Sequence, residues 1–311
     1  MTPADSPLRT FDELLSRARR TPPPRMAVAA AGEPAVIEAV AHAAREGLIH
    51  PILVGAPGPI RAMADEQAMD LTGIDLIETD DPAEASALAV KLVHDGGAEL
   101  VMKGLVRTKD FLKAVLNQAF GMRRGRPLSQ VALFESQDRS RLILLTDSGI
   151  NIHPRFSRKI AIIQNALELA YALGIDEPKV AVIAAIETVE LPAMPATLDA
   201  ELLRRMGAAG QFGRCVIDGP LAMDNALDSH TAETKGRSSA MAGNADIIVV
   251  PEIETGNAVY KTIRYIAGRD LASIVMGAAG PVVVTSRSDS ANTKLYSIAL
   301  GALMSQQRGN H

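Results

Sequence analysis

The chain has 311 residues, about twice the length of a usual domain, so two domains are expected. Its 32 lysines and arginines stand against 36 aspartates and glutamates, and the net charge of −4 excludes a chain-wide positive field for nucleic acid. Hydrophobic residues make up 47% of the chain but aromatic residues only 3%. Alanine, valine, isoleucine and leucine must therefore fill the core, which suits helices packed on a parallel sheet.

Cysteine content and hydropathy exclude further classes of protein. The single cysteine, Cys215, excludes an internal disulfide and a multi-cysteine metal or iron–sulfur site. Residues 1–24 lack the apolar core of a signal peptide, and no apolar run reaches the roughly 18–20 residues that span a bilayer. We expect a cytoplasmic protein with neither a membrane nor a nucleic-acid partner.

Hydrophobic periodicity and turn residues predict an amphipathic helix over 8–20, followed by alternating strands and helices. The predicted strands of this first part are Met26–Ala31, Pro51–Gly55, Ile74–Thr79 and Glu99–Met102. The predicted helices are Glu33–Glu46, Pro59–Ala68, Pro82–Asp95 and Thr108–Phe120, the last with Thr108 as its cap.

The alternation of predicted strands and helices is interrupted after residue 129. Two apolar runs, Gln130–Glu135 and Arg141–Thr146, are joined by a short polar segment, which predicts an antiparallel hairpin. Alternation then resumes. The later strands are predicted at Lys179–Ala185, Arg214–Asp218, Ile247–Pro251, Ser273–Val275 and Val282–Thr285. The later helices are predicted at Ser157–Leu173, Thr197–Met206, Ala232–Met241, Ala258–Ala267 and Ser290–Met304.

This alternation predicts a doubly wound, mostly parallel α/β sheet. Ligands of such sheets bind at the carboxyl ends of the strands, and polar or charged groups follow several predicted strands of this chain. These groups are Lys103-Gly104, residues 147–149, residues 218–220, Glu252 and Ser286-Arg287. Their number in one chain indicates a shared cleft.

Two basic stretches are candidate anion sites. Residues 103–108 place two cations and a glycine between a strand and a helix N-terminus, although the P-loop spacing is absent. Residues 121–129 carry three arginines in a glycine-containing loop. Solvated loops without a ligand stay the alternative reading of both stretches.

Other polar groups are less specific. Asn257 is predicted to open a helix, with Lys261 on the same helical face, where a lysine with a buried stem and a solvated head is the alternative. Asp147, Asp218 and Glu252 are candidate bases, metal ligands or caps. Nothing in their spacing, or in that of the six scattered histidines, specifies a metal, so no metal site is expected.

The most informative stretch is Pro281–Ser290, with the sequence Pro-Val-Val-Val-Thr-Ser-Arg-Ser-Asp-Ser. A buried strand leads into hydroxyl groups, the Arg287 guanidinium and the Asp289 carboxylate, and then into a helix. This order sets hydrogen-bond donors and positive charge against an anion at the end of the strand. Ser288 and Ser290 also suit helix capping, so a well-capped helix is the alternative.

A series of segments then resembles one family along nearly the whole chain, from about residue 26 to residue 300. The segments are Met102–Thr108, Asp110–Val115, Leu128–Glu135, Thr146–Ile152, Ile162–Ala166, Met194–Asp199, Asp218–Leu221, Ala245–Pro251, Gly256-Asn257 with Tyr260-Lys261, and Thr285–Ser290. Together they resemble the phosphate acetyl/butyryltransferase family, and its butyryl branch more than its acetyl branch.

The resemblance implies a two-domain, three-layer α/β/α sandwich like that of the isocitrate/isopropylmalate dehydrogenases. Mostly parallel sheets and an interdomain active-site cleft are expected. In that fold the last strand and helix return to the first domain. Residues 1–135 with 281–311 are therefore expected to form one domain, and residues 136–280 the other, within a homodimer or higher homo-oligomer.

The resemblance also implies reversible transfer of a butyryl or acetyl group between coenzyme A and inorganic phosphate. Coenzyme A is then a substrate, and no permanently bound cofactor is expected. Ser286 is expected to donate to the tetrahedral oxyanion or to phosphate, and Arg287 to bind phosphate oxygens in a bidentate way. The resemblance leaves open the acyl-chain preference, the coenzyme A contacts and the physiological direction.

This chain departs from the acetyltransferase pattern at the base that activates the thiol. The acetyltransferase pattern has an aspartate seven positions after the serine, where this chain has Thr293. Asp289 is the nearest carboxylate and the candidate base, with helix capping as its alternative role. The expected substrate-binding residues are Lys103, Thr108, Arg126, Ser129, Asn257 and Lys261.

Two other functions compete with acyl transfer. A decarboxylating dehydrogenase of the same fold, dependent on NAD(P) and a divalent metal, would need clustered aspartates, and no close-spaced pair lies in a suitable position. A non-catalytic coenzyme A-binding relative is the other alternative. Thr293 leaves room for it, whereas the intact Ser286-Arg287 pair argues against it.

Overall fold

A computed structural model describes residues 6–20, 22–234, 241, 243–286 and 288–308. Up to residue 115 the elements are α1 (Phe11–Ala18), β1 (Arg25–Ala29), α2 (Pro34–Arg45), β2 (His50–Gly55), α3 (Pro57–Glu66), β3 (Asp75–Glu78), α4 (Pro82–His94), β4 (Leu100–Lys103) and α5 (Thr108–Val115). The next elements are β5 (Ser129–Glu135), β6 (Leu142–Thr146), α6 (Phe156–Ala172), β7 (Lys179–Ile183), α7 (Pro195–Ala208), β8 (Val216–Leu221), α8 (Met223–Leu227), α9 (Ser229–Thr234), β9 (Ile247–Val249) and α10 (Ile253–Lys261). After a π-helical turn at Thr262–Ile266 come β10 (Ala272–Met276), β11 (Val282–Val283) and α11 (Ala291–Arg308).

The described chain divides into two compact units. The terminal unit comprises residues 11–126 and 270–308, and the central unit comprises residues 127–269 with residues 6–10. These units differ from the predicted domains in the placement of β5 and β10. The domain assignment of 1–135 with 281–311, against 136–280, stays a prediction.

The terminal unit contains strands in the order β3-β2-β1-β4-β11-β10. Neighbouring strands are parallel, except that β10 runs antiparallel to β11. Prolines stand in the first turn of α2, α3 and α4, where the missing N–H costs no helical hydrogen bond. Because β4 and β11 are parallel neighbours, the segments that leave their carboxyl ends lie at the same edge of the sheet.

The central unit contains strands in the order β5-β6-β9-β7-β8. Strands β5 and β6 pair antiparallel, from Val131 opposite Thr146 to Glu135 opposite Leu142, so the predicted hairpin is confirmed. The remaining neighbours, β6 with β9, β9 with β7 and β7 with β8, are parallel.

The core is made mostly of aliphatic side chains, as the low aromatic content predicted. An aromatic contact joins α1 to α11, where the rings of Phe11 and Tyr296 stack with centroids 4.3 Å apart. Among the helices of the described residues, none combines the length and the hydropathy that crossing a bilayer requires.

Helix α5 departs from its predicted bounds at both ends. Arg107 occupies the N-cap position without a side-chain cap bond, and Thr108 is the first helical residue, so the prediction of Thr108 as the cap is wrong. The helix ends at Val115 because the Asn117 carboxamide oxygen accepts the N–H of Ala119 at 2.8 Å and turns the chain.

Helix α10 begins earlier than predicted. The Glu252 side chain accepts the N–H of Glu254 at 2.7 Å and of Thr255 at 3.0 Å, which caps a helix starting at Ile253. The predicted start at Ala258 is wrong, because Glu252, which the sequence left open as a base, a metal ligand or a cap, caps the helix five residues earlier.

Two later predictions, a strand end and a helix, have different outcomes. Strand β8 continues through residues 218–220, which were expected to follow it, so Asp218 lies inside a strand rather than at a strand exit. Of the predicted helix Ala232–Met241, residues 232–234 form the end of α9 and residues 235–240 lie outside the described residues, so most of this prediction is not tested.

Candidate active site

Two predicted site residues, Lys103 and Ser286, lie at or after the ends of neighbouring strands in the terminal-unit sheet. Strand β4 ends at Lys103, and β11 ends at Val283, which is opposite Met102 in the parallel ladder. Ser286 follows three residues after Val283. The segment containing Ser286 and the segment after Lys103 therefore leave the sheet side by side, which is where parallel α/β sheets bind ligands.

Two hydrogen bonds join Ser286 to Asp289, and the Ser286–Asp289 turn is named for these two residues. The Asp289 N–H donates to the Ser286 carbonyl at 3.1 Å, and the Ser286 N–H donates to the Asp289 carboxylate at 2.7 Å. Asp289 is 7% exposed, whereas Ser286 is partly exposed. A buried carboxylate thus fixes the main chain of the serine and leaves its hydroxyl at the surface.

The hydroxyl groups of this turn lie together. The Ser286 and Ser288 Oγ atoms are 3.0 Å apart, and Ser288 is exposed. Two adjacent hydroxyls can donate to the oxygens of an anion. Arg287, the predicted phosphate ligand between them in sequence, lies outside the described residues.

Thr293, at the position of the family aspartate, is completely buried. Its hydroxyl oxygen accepts the N–H of Leu271 at 3.2 Å and lies 3.1 Å from the Ser290 hydroxyl oxygen. Ser290 in turn accepts the Thr293 N–H at 3.1 Å, so Ser290 caps α11. The polar atoms of Thr293 are engaged in joining the helix to the start of β10.

Lys294 is a buried cation that sequence reasoning missed. It lies in the first turn of α11, is 1% exposed, and its Nζ donates to the main-chain carbonyl of Asp289 at 2.7 Å. From the sequence alone, a lysine close to the start of a helix is expected to be solvated. Its position four residues after Ser290, on the helical face that turns toward the strand exit, was the available signal.

Lys103 is also buried, at 6% exposure. Its Nζ donates to the carbonyls of Gly104 at 3.0 Å and Val106 at 3.2 Å, so the ammonium lies against its own loop. Gly104 is required there, because a Cβ would lie 2.3 Å from the carbonyl oxygen of Ala30. The loop is packed tightly on β1 and holds a positive charge beneath the edge of the sheet.

The other predicted residues of the terminal unit lie on exposed segments. Thr108 is exposed in the first turn of α5, and Arg126 is exposed at the end of the basic loop. That loop is anchored by Met122, which is buried and whose carbonyl accepts the N–H of Ala279 at 2.7 Å. The anchor holds a loop whose arginine side chains reach the surface.

Ser129 in the central unit has no exposed surface. Its hydroxyl accepts the Asn165 side-chain N–H at 2.9 Å, and the same Asn165 nitrogen donates to the Pro127 carbonyl at 3.0 Å. These bonds tie the start of β5 to α6. Substrate contact by Ser129 stays a prediction, and the described geometry gives its hydroxyl a structural partner.

Asp147, at the exit of β6, is surrounded by hydrogen-bond donors. Its Oδ1 accepts the N–H groups of Gln130, Gly149 and Ile150 at 3.0–3.2 Å, and its Oδ2 accepts the main-chain and side-chain N–H groups of Asn151 at 3.1 and 2.5 Å. Burial raises the pKa of the Asp147 carboxyl above its ordinary value, against hydrogen bonds from the loop that lower it. The carboxylate serves the loop rather than a ligand.

Asn257 and Lys261 lie on α10 rather than at its start. Gly256, inside the helix, lets α10 approach the Asp147 loop, because a Cβ there would lie 2.4 Å from the Asp147 carbonyl oxygen. Asn257 is exposed, with its side-chain nitrogen 3.5 Å from the Ser148 carbonyl. The Lys261 ammonium lies 5.5 Å from the ring centroids of both Tyr260 and Tyr265.

One group in the central unit could hold a cation. Ligand atoms of His153, Glu252 and Glu254 lie within 4.8 Å of one another. Burial acts to raise the pKa of Glu252, but hydrogen bonds with Glu254 and Thr255 lower it to about 2. Exposed acidic groups of this kind are common without an ion, and the expectation of no metal stays a prediction.

A cavity of about 590 Å³ lies at the start of α6. It is lined by Ile150, Asn151, Ile152, His153, Pro154, Arg155, Ser157 and Arg158. Two arginines and a helix N-terminus give this cavity positive potential. Sequence reasoning did not single it out, because neither arginine follows a strand directly.

Three comparisons with known proteins agree with one another. The chain matches the family described as "Phosphate acetyl/butaryl transferase" over residues 82–302. It is 43% identical over 296 residues to a phosphate butyryltransferase from Clostridium beijerinckii, covering 95% of this chain and 98% of that protein. It is 39% identical over 293 residues to a phosphate acetyltransferase from Thermotoga maritima, covering 94% and 99%.

A solved structure supports the same assignment. The crystal structure of a branched-chain phosphotransacylase from Enterococcus faecalis V583 aligns with a TM-score of 0.80 at 29% identity, covering 90% of this chain and 98% of that one. The predicted fold class, α/β with mostly parallel pairing as in the isocitrate/isopropylmalate dehydrogenase-like proteins, is confirmed. The chain belongs to the phosphate acetyl/butyryl transferase family.

Proposed function

We propose that the protein is a phosphate acyltransferase that moves a short acyl group, butyryl or acetyl, between coenzyme A and inorganic phosphate. The observation that carries the proposal is the Ser286–Asp289 turn, where a buried carboxylate holds the main chain of a serine whose hydroxyl stays accessible. Family membership supports the same reaction, since relatives are named for butyryl and for acetyl transfer. It does not favour the dehydrogenase alternative.

The chemistry is a direct acyl transfer. A phosphate oxygen attacks the thioester carbonyl carbon, a C–O bond forms, and the carbonyl oxygen becomes an oxyanion. The C–S bond then breaks, the acyl phosphate leaves, and the proton lost by phosphate ends on the coenzyme A thiolate. The reverse reaction uses the same atoms. Because both reactants are anions, the protein must mainly position them and neutralise charge.

Each proposed residue has one task. The Ser286 hydroxyl donates to the oxyanion or to a phosphate oxygen, and Arg287 binds two phosphate oxygens with its planar guanidinium. Asp289 is the candidate base for the thiol. Lys103, from the neighbouring strand exit, adds positive charge beneath the phosphate site.

The proposal extends to the setting of the reaction. Neither a metal nor a permanently bound cofactor is needed for any step, because bond making and breaking involve only the two substrates. We further propose Thr108, Arg126, Asn257 and Lys261 as contacts for the larger substrate. We also propose that the protein acts in the cytoplasm as a homodimer or higher homo-oligomer.

A direct assay tests the reaction. Butyryl-CoA and acetyl-CoA are incubated with the protein, with and without phosphate, in the presence of a metal chelator. We expect phosphate-dependent release of free thiol and an equal yield of acyl phosphate, trapped as the hydroxamate. Thiol release without phosphate would mean hydrolysis, and no release with either thioester would reject the proposal.

Replacement of Arg287 tests the site. Arg287→Ala should lower turnover by about 100-fold or more, because a bidentate charged hydrogen bond to phosphate is lost. Arg61→Ala is the matched control, since Arg61 forms an exposed ion pair with Glu78 at 2.9 Å in the same unit. Arg287→Ala activity within about threefold of the unaltered protein, roughly 0.7 kcal/mol, would show that the site is wrong.

A further inference from the structure

The buried ammonium of Lys294 is not explained by the stability of the fold. Lys294 is 1% exposed, and within the described residues its Nζ makes one hydrogen bond, to the Asp289 main-chain carbonyl. Removing an ammonium from water costs more than one such bond returns. An apolar side chain of the same length would fill this place at lower cost, so the charge points to a role in the site.

Lys294 reaches Ser286 through a single residue. Each main-chain polar group of Asp289 is engaged: its carbonyl accepts from Lys294, and its N–H donates to the Ser286 carbonyl. Its carboxylate accepts the Ser286 N–H. Movement of the Asp289 main chain therefore shifts the backbone on both sides of the serine.

The anchor itself is rigid. Lys294 lies in the first turn of α11, an 18-residue helix, and long helical side chains point back toward the helix N-terminus. That direction carries the ammonium from the helix to the turn that precedes it. The turn is thus tied to a long helix at a point independent of the Ser290 cap.

We propose that Lys294 is a positioning residue for acyl transfer, holding the Ser286–Asp289 turn in the geometry that presents the Ser286 hydroxyl. The kinetic part of this inference rests on the proposed function, while the positioning itself does not. A displaced hydroxyl weakens the binding of the transition state more than the binding of the substrates. Loss of the anchor should therefore lower kcat and leave KM nearly unchanged.

The test compares two buried lysines. Lys294→Met removes the donor and the charge and keeps the length of the side chain. Lys159→Met is the matched control, because Lys159 is also buried, at 6% exposure, and its ammonium binds Asp199 at 2.8 Å in the central unit. Both variants are measured at a temperature where circular dichroism shows them fully folded.

The first measurement is amide hydrogen exchange without substrates. Lys294→Met should speed exchange of the Ser286 and Asp289 amides by about tenfold, since both amides are held within the anchored turn, and Lys159→Met should leave them unchanged. The second measurement is kinetics with acyl-CoA and phosphate. Lys294→Met should lower kcat by about 30-fold with both KM values within about twofold. Unchanged exchange, or kcat within about threefold, would overturn the proposal.

A double variant separates positioning from plain structure. If Lys294 acts through the serine, Lys294→Met should cost little further turnover in a Ser286→Ala background, whereas independent effects would multiply. Lys294→Gln, which keeps an N–H donor without the charge, replaces the methionine variant if that one does not fold. If neither folds, Lys294 belongs to the fold rather than to the site, and the proposal is wrong.

The two proposals fail in different ways. A protein that forms no acyl phosphate rejects the proposed function, and the exchange measurement still decides whether Lys294 holds the turn. An active protein whose Lys294→Met variant keeps its exchange rates and its kcat rejects only the positioning role.

Discussion

The Asp147 loop of the central unit and the Ser286–Asp289 turn of the terminal unit solve the same local problem differently. In each, a carboxylate near the end of a strand accepts main-chain N–H groups of the chain that leaves the sheet. Asp147 accepts five hydrogen bonds, four from the main-chain N–H groups of Gln130, Gly149, Ile150 and Asn151 and one from the Asn151 side chain. Asp289 accepts the N–H of Ser286, and the hydroxyl of that serine stays at the surface.

The difference lies in what remains for a ligand. Both oxygens of the Asp147 carboxylate accept hydrogen bonds from the protein, and Ser148 beside it is buried. In the Ser286–Asp289 turn the carboxylate holds the backbone so that hydroxyl groups face outward. Strand exits of similar composition can therefore use their carboxylate to hold a loop in one unit and leave exposed hydroxyl groups in the other.

Replacement of Asp147 should have the largest effect on stability. Asp147→Ala leaves five N–H groups around a buried position without their acceptor and should lower the free energy of unfolding by about 3 kcal/mol or more. Chemical denaturation measures this loss. Asp138→Ala is the matched control, since Asp138 also accepts hydrogen bonds from a loop, from Ser136 and Ser140, but is exposed to solvent and should matter less.

An Asp147→Ala variant as stable as the Asp138→Ala control would remove the distinction drawn between the two carboxylates. It would mean that water replaces the carboxylate oxygens at little cost, and that Asp147 is available for another role.

The next effect is on turnover and concerns Asp289. Asp289→Ala removes both the acceptor for Ser286 and the candidate base, and should lower kcat by about 100-fold, or about 2.7 kcal/mol. Asp289→Asn keeps a carbonyl oxygen for the Ser286 N–H but cannot accept a thiol proton. The pair of variants, assayed for acyl phosphate formation, therefore separates holding the turn from base catalysis.

Each result for Asp289→Asn has a clear meaning. Activity as low as that of the alanine variant indicates that the carboxylate acts as the base. Activity within about threefold of the unaltered protein indicates that it only holds the turn, so that another group or water takes the thiol proton.

Most of the fold could be predicted because it depends on local signals. Apolar runs and turn residues located nearly every strand and helix, and the short polar link between two apolar runs identified the β5–β6 hairpin. Errors arose where a side chain acts on the backbone nearby. Glu252 caps α10 and Asn117 turns the chain after α5, and neither effect is visible in hydrophobic periodicity.

The geometry of the candidate site was predictable to a lesser extent. The order strand, serine, arginine, serine, aspartate and helix pointed to the Ser286–Asp289 turn, and the structure brings the Lys103 exit to the same edge. Burial was not predictable from spacing. Ser129 and Thr293 are buried with their hydroxyls bonded to protein groups, and Lys294 is buried although most lysines are solvated.

Replacements of Thr293, in the first turn of the helix that follows the Ser286–Asp289 turn, should have a smaller effect on stability. Thr293→Val keeps the shape but leaves the buried Leu271 N–H without its acceptor, and should lower the free energy of unfolding by about 1–2 kcal/mol. Thr293→Asp restores the family aspartate at a fully buried position close to Ser290, which donates to Asp270 at 2.7 Å. We expect the aspartate variant to be less stable than the valine variant and no more active, as thermal melts and the acyl phosphate assay would measure. A gain in turnover would show that the aspartate is functional in this chain.

The smallest expected effect concerns Glu252, whose carboxylate, like that of Asp147, serves its own backbone in the central unit. Glu252→Ala removes the cap of α10 and should cost about 1 kcal/mol at neutral pH. Because the pKa of Glu252 in the folded protein is lowered from 4.5 to about 2, its contribution is complete above pH 4.5 and is lost as the pH falls toward 2. Urea unfolding should therefore separate the variant from the unaltered protein at pH 7 and bring the two together near the lower limit of this range. A difference that is the same at both pH values would show that Glu252 stabilises the helix by packing rather than by its charge.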